Sequence, residues 1–111
     1  MVDKKIKLNL LQSRTLALFQ ELAKSTETSV AIEGTDEICV MFLPIPHGNH
    51  VHIGRFVVSS KDASGFNNEK VWRVLEKKGL AKSEFPTRII LTKAGIEFDT
   101  GFSKEFPISD H

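Results

Sequence analysis

Hydrophobic residues recur at three- and four-residue spacing along residues 10–24, and polar residues occupy the positions between them. This periodicity predicts an amphipathic helix that packs one side into the core. Asn9 is a suitable N-cap, and Gln12 stands three residues later, as in a capping box. The apolar side of the predicted helix consists of Leu11, Thr15, Leu18, Phe19, Leu22 and Ala23.

The next part of the chain is rich in β-branched and apolar residues, which favour strands. We predict strands at Thr28–Glu33, Glu37–Ile45 and Val51–Ser59, joined by turns into an antiparallel meander. If Ile45 lies opposite His50, the alternation of side chains places one apolar face on the core. That face carries Ile38, Val40, Phe42, Val51, Ile53 and Val57.

A second helix is predicted at Asn67–Lys78, where the apolar residues return to helical spacing. Trp72 lies at the edge of its apolar stripe. The polar segment Ser60–Gly65 before the helix has room for only about one helical turn. The stripe itself consists of Val71, Val74 and Leu75.

The second helix is followed by a stop signal and a hairpin pattern. Gly79 follows two lysines and precedes a leucine, which is typical of a Schellman-type helix end. Leu80–Lys82 and Thr87–Thr92 predict the strands of a β-hairpin, with residues 83–86 at its tip. A short last helix is predicted at residues 93–99.

The predicted fold class is α+β: an N-terminal helix, a three-stranded antiparallel meander, a helix, a β-hairpin and a short C-terminal helix. The 111 residues fit a single domain, and a hydrophobic fraction of 41% supplies a core without a metal or a disulfide. Cys39 is the single cysteine, so no intrachain disulfide can form. We expect residues 1–8 and 103–111 to fray at the ends of this domain.

Charge and hydropathy bear on the partners and the cellular location of the protein. The formal net charge of +1 does not by itself indicate a strongly charged partner. The longest apolar run, Ile38–Pro46, contains two prolines and is far shorter than the roughly 20 residues that span a bilayer. No apolar leader follows the basic residues near the N-terminus. We therefore expect a cytoplasmic protein without a membrane partner.

Catalytic motifs are absent from the sequence: there is no P-loop, no G-x-S-x-G, no H-E-x-x-H and no dinucleotide fingerprint. Cys39 lies in a predicted strand among apolar residues, which suits a small inert hydrophobe better than a nucleophile. Glu33, Asp36 and Glu37 cluster at a turn, as polar residues commonly do. We predict neither an enzyme nor a bound cofactor.

Three histidines, His47, His50 and His52, cluster around the second predicted turn. Residues two apart on a strand project from the same face, so His50 and His52 could chelate a metal with His47 closing in from the loop. No nearby carboxylate completes the ligand set. Exposed turn histidines are the preferred interpretation over a metal site, and pH sensitivity is a further possible role.

Glu69–Leu80 reads EKVWRVLEKKGL, and Ile90–Gly95 reads ILTKAG. Together these segments resemble the winged-helix superfamily. Many bacterial regulators of that family end a recognition helix in a Lys-Gly-Leu-like stop and continue into a two-stranded wing. Their next helix begins at a Leu-Thr-x-x-Gly-like step. The resemblance covers residues 67–98 and implies a winged-helix-like fold, with a recognition helix at 67–78 and a wing at 80–92.

The charges support a nucleic-acid hypothesis for this segment. Residues 61–93 hold eight basic and four acidic side chains, whereas residues 25–58 hold one basic and four acidic side chains. On a helical wheel, Lys70, Arg73 and Lys77 fall in one sector, away from the apolar stripe. A recognition helix would use its N-terminal half for bases or phosphates, and the remaining cations for phosphates. The predicted contacts are Asn67, Asn68, Lys70 and Arg73, followed by Lys77, Lys82 and Arg88.

The sequence therefore predicts a small winged-helix-like regulatory protein that contacts duplex DNA through helix 67–78 and hairpin 80–92, as a homodimer. The alternative is a non-enzymatic protein–protein interaction module. This alternative is suggested by the near-neutral total charge, together with Phe85 at the hairpin tip and Phe102 and Phe106 in the tail.

Overall fold

The computed structural model describes residues 6–41, 43, 49–53, 56–59, 61 and 63–101, with the backbone alone at residues 50, 51, 56 and 57. Within these residues the fold is α+β, as the sequence predicts. The elements are α1 (Leu10–Leu22), β1 (Ser29–Ala31), β2 (Ile38–Val40), β3 (His50–Ile53), β4 (Phe56–Ser59), a 3-10 helix (Ser64–Asn67), α2 (Glu69–Lys77), β5 (Ala81–Glu84), β6 (Arg88–Leu91) and α3 (Lys93–Glu97).

The strands do not form the predicted meander. β1, β2, β6 and β5 make one antiparallel sheet in that order, while β3 and β4 pair with each other. β2 already has β1 on one side and β6 on the other, so the segment 51–59 has no place beside it. The two described strands of that segment, β3 and β4, pair with each other instead, with Ile53 opposite Phe56 and His52 opposite Val57. The predicted pairing of Ile45 with His50 lies outside the described residues.

The inner face of the large sheet lies on the core. Val40, Ile89 and Leu91 have no exposed surface and alternate with residues that face outward. α1 packs over the core through its predicted apolar side, with Phe19 fully buried. The predicted capping box is confirmed, because Asn9 Oδ1 accepts from the Gln12 N–H at 2.8 Å and Gln12 Oε1 accepts from the Asn9 N–H at 2.9 Å.

Trp72 is part of the core and does not lie at the edge of the helical stripe. It is fully buried, whereas Val74 is only partly buried. Its indole N–H donates to the Gly65 carbonyl at 3.1 Å. The ring centroids of Phe19 and Phe85 lie 5.4 and 4.9 Å from that of Trp72, both in edge-to-face geometry. The 3-10 helix and the hairpin therefore bury a side of α2 that helical periodicity placed at the edge of the apolar stripe.

The predicted end of α2 is confirmed at Gly79. This residue has φ +79°, a conformation that favours glycine, and the Leu80 N–H donates back to the Leu75 carbonyl at 2.9 Å. The hairpin then follows, with its two strands at 81–84 and 88–91. α3 is shorter than predicted, because Phe98 is already extended and its carbonyl accepts from Gln20.

Candidate nucleic-acid interface

One side of α2 carries three exposed cations. Lys70, Arg73 and Lys77 are all exposed, and they project away from Trp72 and Leu75, which are fully buried. Positions three and seven residues apart share one helical face, so the fold brings these three predicted contacts together. The predicted cationic side of the helix is thus solvent-facing.

Arg73 has an acidic partner on the same helix. Its Nη2 lies 3.3 Å from Glu69 Oε2, one helical turn away, and both side chains are more than half exposed. An exposed pair of this kind contributes only about 0.3–0.5 kcal/mol, so a phosphate could displace the carboxylate at little cost. Among the described residues, neither Lys70 nor Lys77 has an ion-pair partner.

The two predicted asparagine contacts have different positions. Asn67 is exposed at the end of the 3-10 helix. Asn68 is the N-cap of α2, and its side-chain oxygen accepts from the Lys70 N–H at 3.0 Å. This oxygen satisfies one of the free donors at the helix start. Asn68 is therefore left with its amide nitrogen as the group that can reach an external acceptor.

The two cations of the hairpin lie apart from the helical ones. Lys82 and Arg88 alternate with Ala81 and Ile89, whose side chains face the core, so they project from the outer face of the sheet. Lys82 Nζ is 3.0 Å from Glu37 Oε1. Arg88 forms a close ion pair across the hairpin with Glu84, whose hydrogen bond raises the pKa of the guanidinium above its usual value.

The hairpin is not an independent wing. Glu76 of α2 accepts the Ser83 N–H at 3.2 Å, which covers the outer edge of β5. Phe85, predicted at an exposed tip, is partly buried and packs on Trp72. The hairpin and α2 thus form one packed unit. Phe102 and Phe106 of the tail lie outside the described residues.

The histidine cluster falls largely outside the part of the chain that is described. His47 is not described, and only the backbone of His50 is. His52 is partly buried on β3 and makes an interaction there. Within the described ranges there is no group of three metal-ligating side chains, and no helix is long and apolar enough to cross a bilayer.

A cleft elsewhere in the fold has no counterpart in the sequence predictions. It measures about 380 Å³ and lies between α1, the start of β2 and α3. Gln20, Glu21 and Lys24 are among the polar residues between the apolar positions of the predicted helix, yet Glu21 is buried. Local periodicity could not predict the cleft, because α3, which supplies one of its walls, comes from the other end of the chain. The lining residues are Ala17, Gln20, Glu21, Ala23, Lys24, Ile38 and Ile96.

Comparison with known proteins assigns neither a family nor a function to the chain. No family model matches the chain, and searches of curated proteins and of solved structures gave no match.

Proposed function

We propose that this chain is a small winged-helix-like regulatory protein that contacts duplex DNA, with α2 as its recognition helix. The observed element boundaries support the proposal. α2 stops at Lys78-Gly79-Leu80, the chain enters a two-stranded hairpin, and α3 begins after Leu91-Thr92. One departure is that the family's helix before the recognition helix is replaced by the 3-10 helix Ser64–Asn67.

The observation that carries the proposal is the exposed Lys70/Arg73/Lys77 side of α2, opposite a fully buried Trp72. Non-specific affinity for duplex DNA comes mainly from cations that neutralise phosphates and release counterions. Three cations on one exposed helical side provide such contacts without desolvating a buried group. Lys82 and Arg88 contribute less, because they project from the outer face of the sheet, apart from the cations of α2, and each forms an ion pair there.

The test is fluorescence anisotropy of a labelled random duplex, titrated with the full chain at several salt concentrations. We expect binding that weakens as salt rises, with a log–log slope of about −3 if three phosphates are engaged. Lys70→Ala should weaken binding to all sequences and reduce the slope by about one. Lys93→Ala removes the same charge at an exposed position of α3 and is the matched control, which should have a smaller effect.

Glu69 offers a test of opposite sign. Glu69→Gln removes the partner of Arg73 and a negative charge from the proposed interface, so it should tighten binding. Arg73→Ala should weaken it. Absence of binding to any duplex at low salt would refute the proposal, as would a Glu69→Gln variant that binds more weakly than the parent protein while remaining folded.

A non-enzymatic protein–protein interaction module is the second candidate, and the outer edge of the large sheet favours it. Val30 on edge strand β1 is 49% exposed, and among the described strands β1 pairs on one side only, with β2. Unpaired edges readily accept another strand. A sedimentation measurement that finds only monomers at all concentrations would count against a homodimer formed through this edge.

A further inference from the structure

The cleft between α1, β2 and α3 combines apolar walls with a small set of polar groups. Ala17, Ile38 and Ile96 line its sides. Its volume of about 380 Å³ lies at the lower end of the roughly 300–1,000 Å³ range typical of small-molecule sites. Apolar walls with a few convergent polar groups are the usual composition of such sites.

Glu21 supplies a carboxylate that is largely removed from solvent. Its side chain is 8% exposed, although it lies on the surface helix α1, and Lys24 Nζ is 3.5 Å from its Oε1. A carboxylate has about four acceptor positions, so it can take further donors besides the partners it already has. A buried carboxylate that lines an apolar cleft favours a ligand with a positively charged donor.

Gln20 adds a second acceptor whose orientation is fixed. Its side-chain nitrogen donates to the Gly95 carbonyl at 2.9 Å and to the Phe98 carbonyl at 2.8 Å. Both amide hydrogens are thereby used, and the side-chain oxygen remains as an acceptor beside the cleft. A ligand with several N–H donors, such as an ammonium group, can use this oxygen and the Glu21 carboxylate together.

Lys24 provides the complementary charge at the rim. Its side chain is 64% exposed, so its ammonium can turn from Glu21 toward a ligand carboxylate while the ligand ammonium takes its place on Glu21. We propose that the cleft binds a small zwitterion with an aliphatic body, of the α-amino acid class. The ligand ammonium lies on Glu21 and Gln20, its carboxylate pairs with Lys24, and its aliphatic part contacts Ile38 and Ile96. This site is separate from the proposed DNA contact and does not rest on it.

The test uses nuclear magnetic resonance titration of the full, isotope-labelled chain with L-valine, isobutylamine and 3-methylbutanoate. The last two compounds lack the carboxylate and the ammonium, respectively. L-Valine should shift the signals of Ile38 and Ile96. 3-Methylbutanoate loses the contact to the buried Glu21 and should bind at least about tenfold more weakly, whereas isobutylamine loses only the contact to the exposed Lys24 and should bind more weakly by a smaller factor.

Variants separate the site from non-specific binding. Glu21→Gln should raise the Kd for L-valine by about tenfold, and Lys24→Ala by a smaller factor because Lys24 is exposed. Glu27→Gln removes the same charge at an exposed position outside the cleft, and its Kd should not change. Unchanged Ile38 and Ile96 signals up to the solubility limit of L-valine would overturn the proposal. Equal affinity for isobutylamine and L-valine would overturn the zwitterion assignment. If Glu21→Gln fails to fold, Lys24→Ala still tests whether the cleft uses the charge of a side chain to bind L-valine.

Discussion

Gly95 allows α3 to approach the end of α2 more closely than any side chain permits. A Cβ atom on this residue would lie 1.8 Å from the Leu80 carbonyl oxygen and 2.9 Å from the Leu80 carbonyl carbon. The same Leu80 oxygen accepts from the Thr92 N–H at 3.1 Å, and the Gly95 carbonyl accepts from Gln20 at 2.9 Å. Because the obstructing atoms belong to the backbone, they cannot turn aside as a flexible side chain would.

Two effects of Gly95→Ala oppose each other. Alanine is favoured over glycine in a helix by up to about 1 kcal/mol. Forcing a methyl group into a closely packed position costs about 1–3 kcal/mol, and the hydrogen bonds made by Leu80 and Gly95 contribute about 1 kcal/mol each if they are lost. The steric effect is the larger, so the substitution should lower the free energy of unfolding by about 2–4 kcal/mol.

The assay is urea unfolding followed by the fluorescence of Trp72, the single and fully buried tryptophan. Gly95→Ala should move the midpoint to lower urea. The control is Ala94→Gly at the neighbouring, exposed position of the same helix, where only helix propensity acts and the loss should be about 1 kcal/mol. Equal or greater stability of Gly95→Ala would refute the inferred contact between α3 and Leu80.

Further substitutions test the core and the cap of α2. Trp72→Phe removes the hydrogen bond to Gly65 and leaves a cavity, so unfolding followed by circular dichroism should show a loss of about 2–4 kcal/mol. Asn68→Ala removes the N-cap of α2 and should cost about 1 kcal/mol, or about 4 °C in Tm. Burial raises the pKa of the Cys39 thiol, so the folded chain should react with a thiol reagent at pH 8 more slowly than the urea-unfolded chain. Because the folded-state pKa is the higher one, the native state should also lose stability as pH rises above the ordinary thiol value of about 8.5, and Cys39→Ala should remove that loss.

Local signals in the sequence predict the parts of this fold that local contacts stabilise. The capping box at Asn9 and the stop at Gly79 each depend on residues within a few positions, so the pattern of residue types is sufficient to predict them. The partner of β2 depends on residues about fifty positions away, and alternation along a strand does not say which strand lies beside it. Gly54, in the middle of the segment 51–59, is the sequence feature that could have indicated two strands there.

The candidate interface was predictable to the same extent. Helical periodicity is sufficient to place Lys70, Arg73 and Lys77 on one exposed side. It carries no information about Lys82 and Arg88, because the face of the sheet from which they project depends on the register of β5 and β6 and on which face packs on the core. Their acidic partners, Glu37 and Glu84, come from that same assembly.

The two carboxylates on α2 differ in how readily a DNA phosphate could displace them. Glu76 accepts the Ser83 N–H on the edge of β5, whereas the ion-pair partner of Glu69 among the described residues is the exposed Arg73. A phosphate can replace Glu69 without freeing a backbone group, but displacing Glu76 would take away the partner of the Ser83 N–H. DNA should therefore approach the N-terminal half of the helix, near Asn67 and Lys70. If so, Glu69→Gln should strengthen binding more than Glu76→Gln does, whereas binding dominated by overall charge would change equally in both variants.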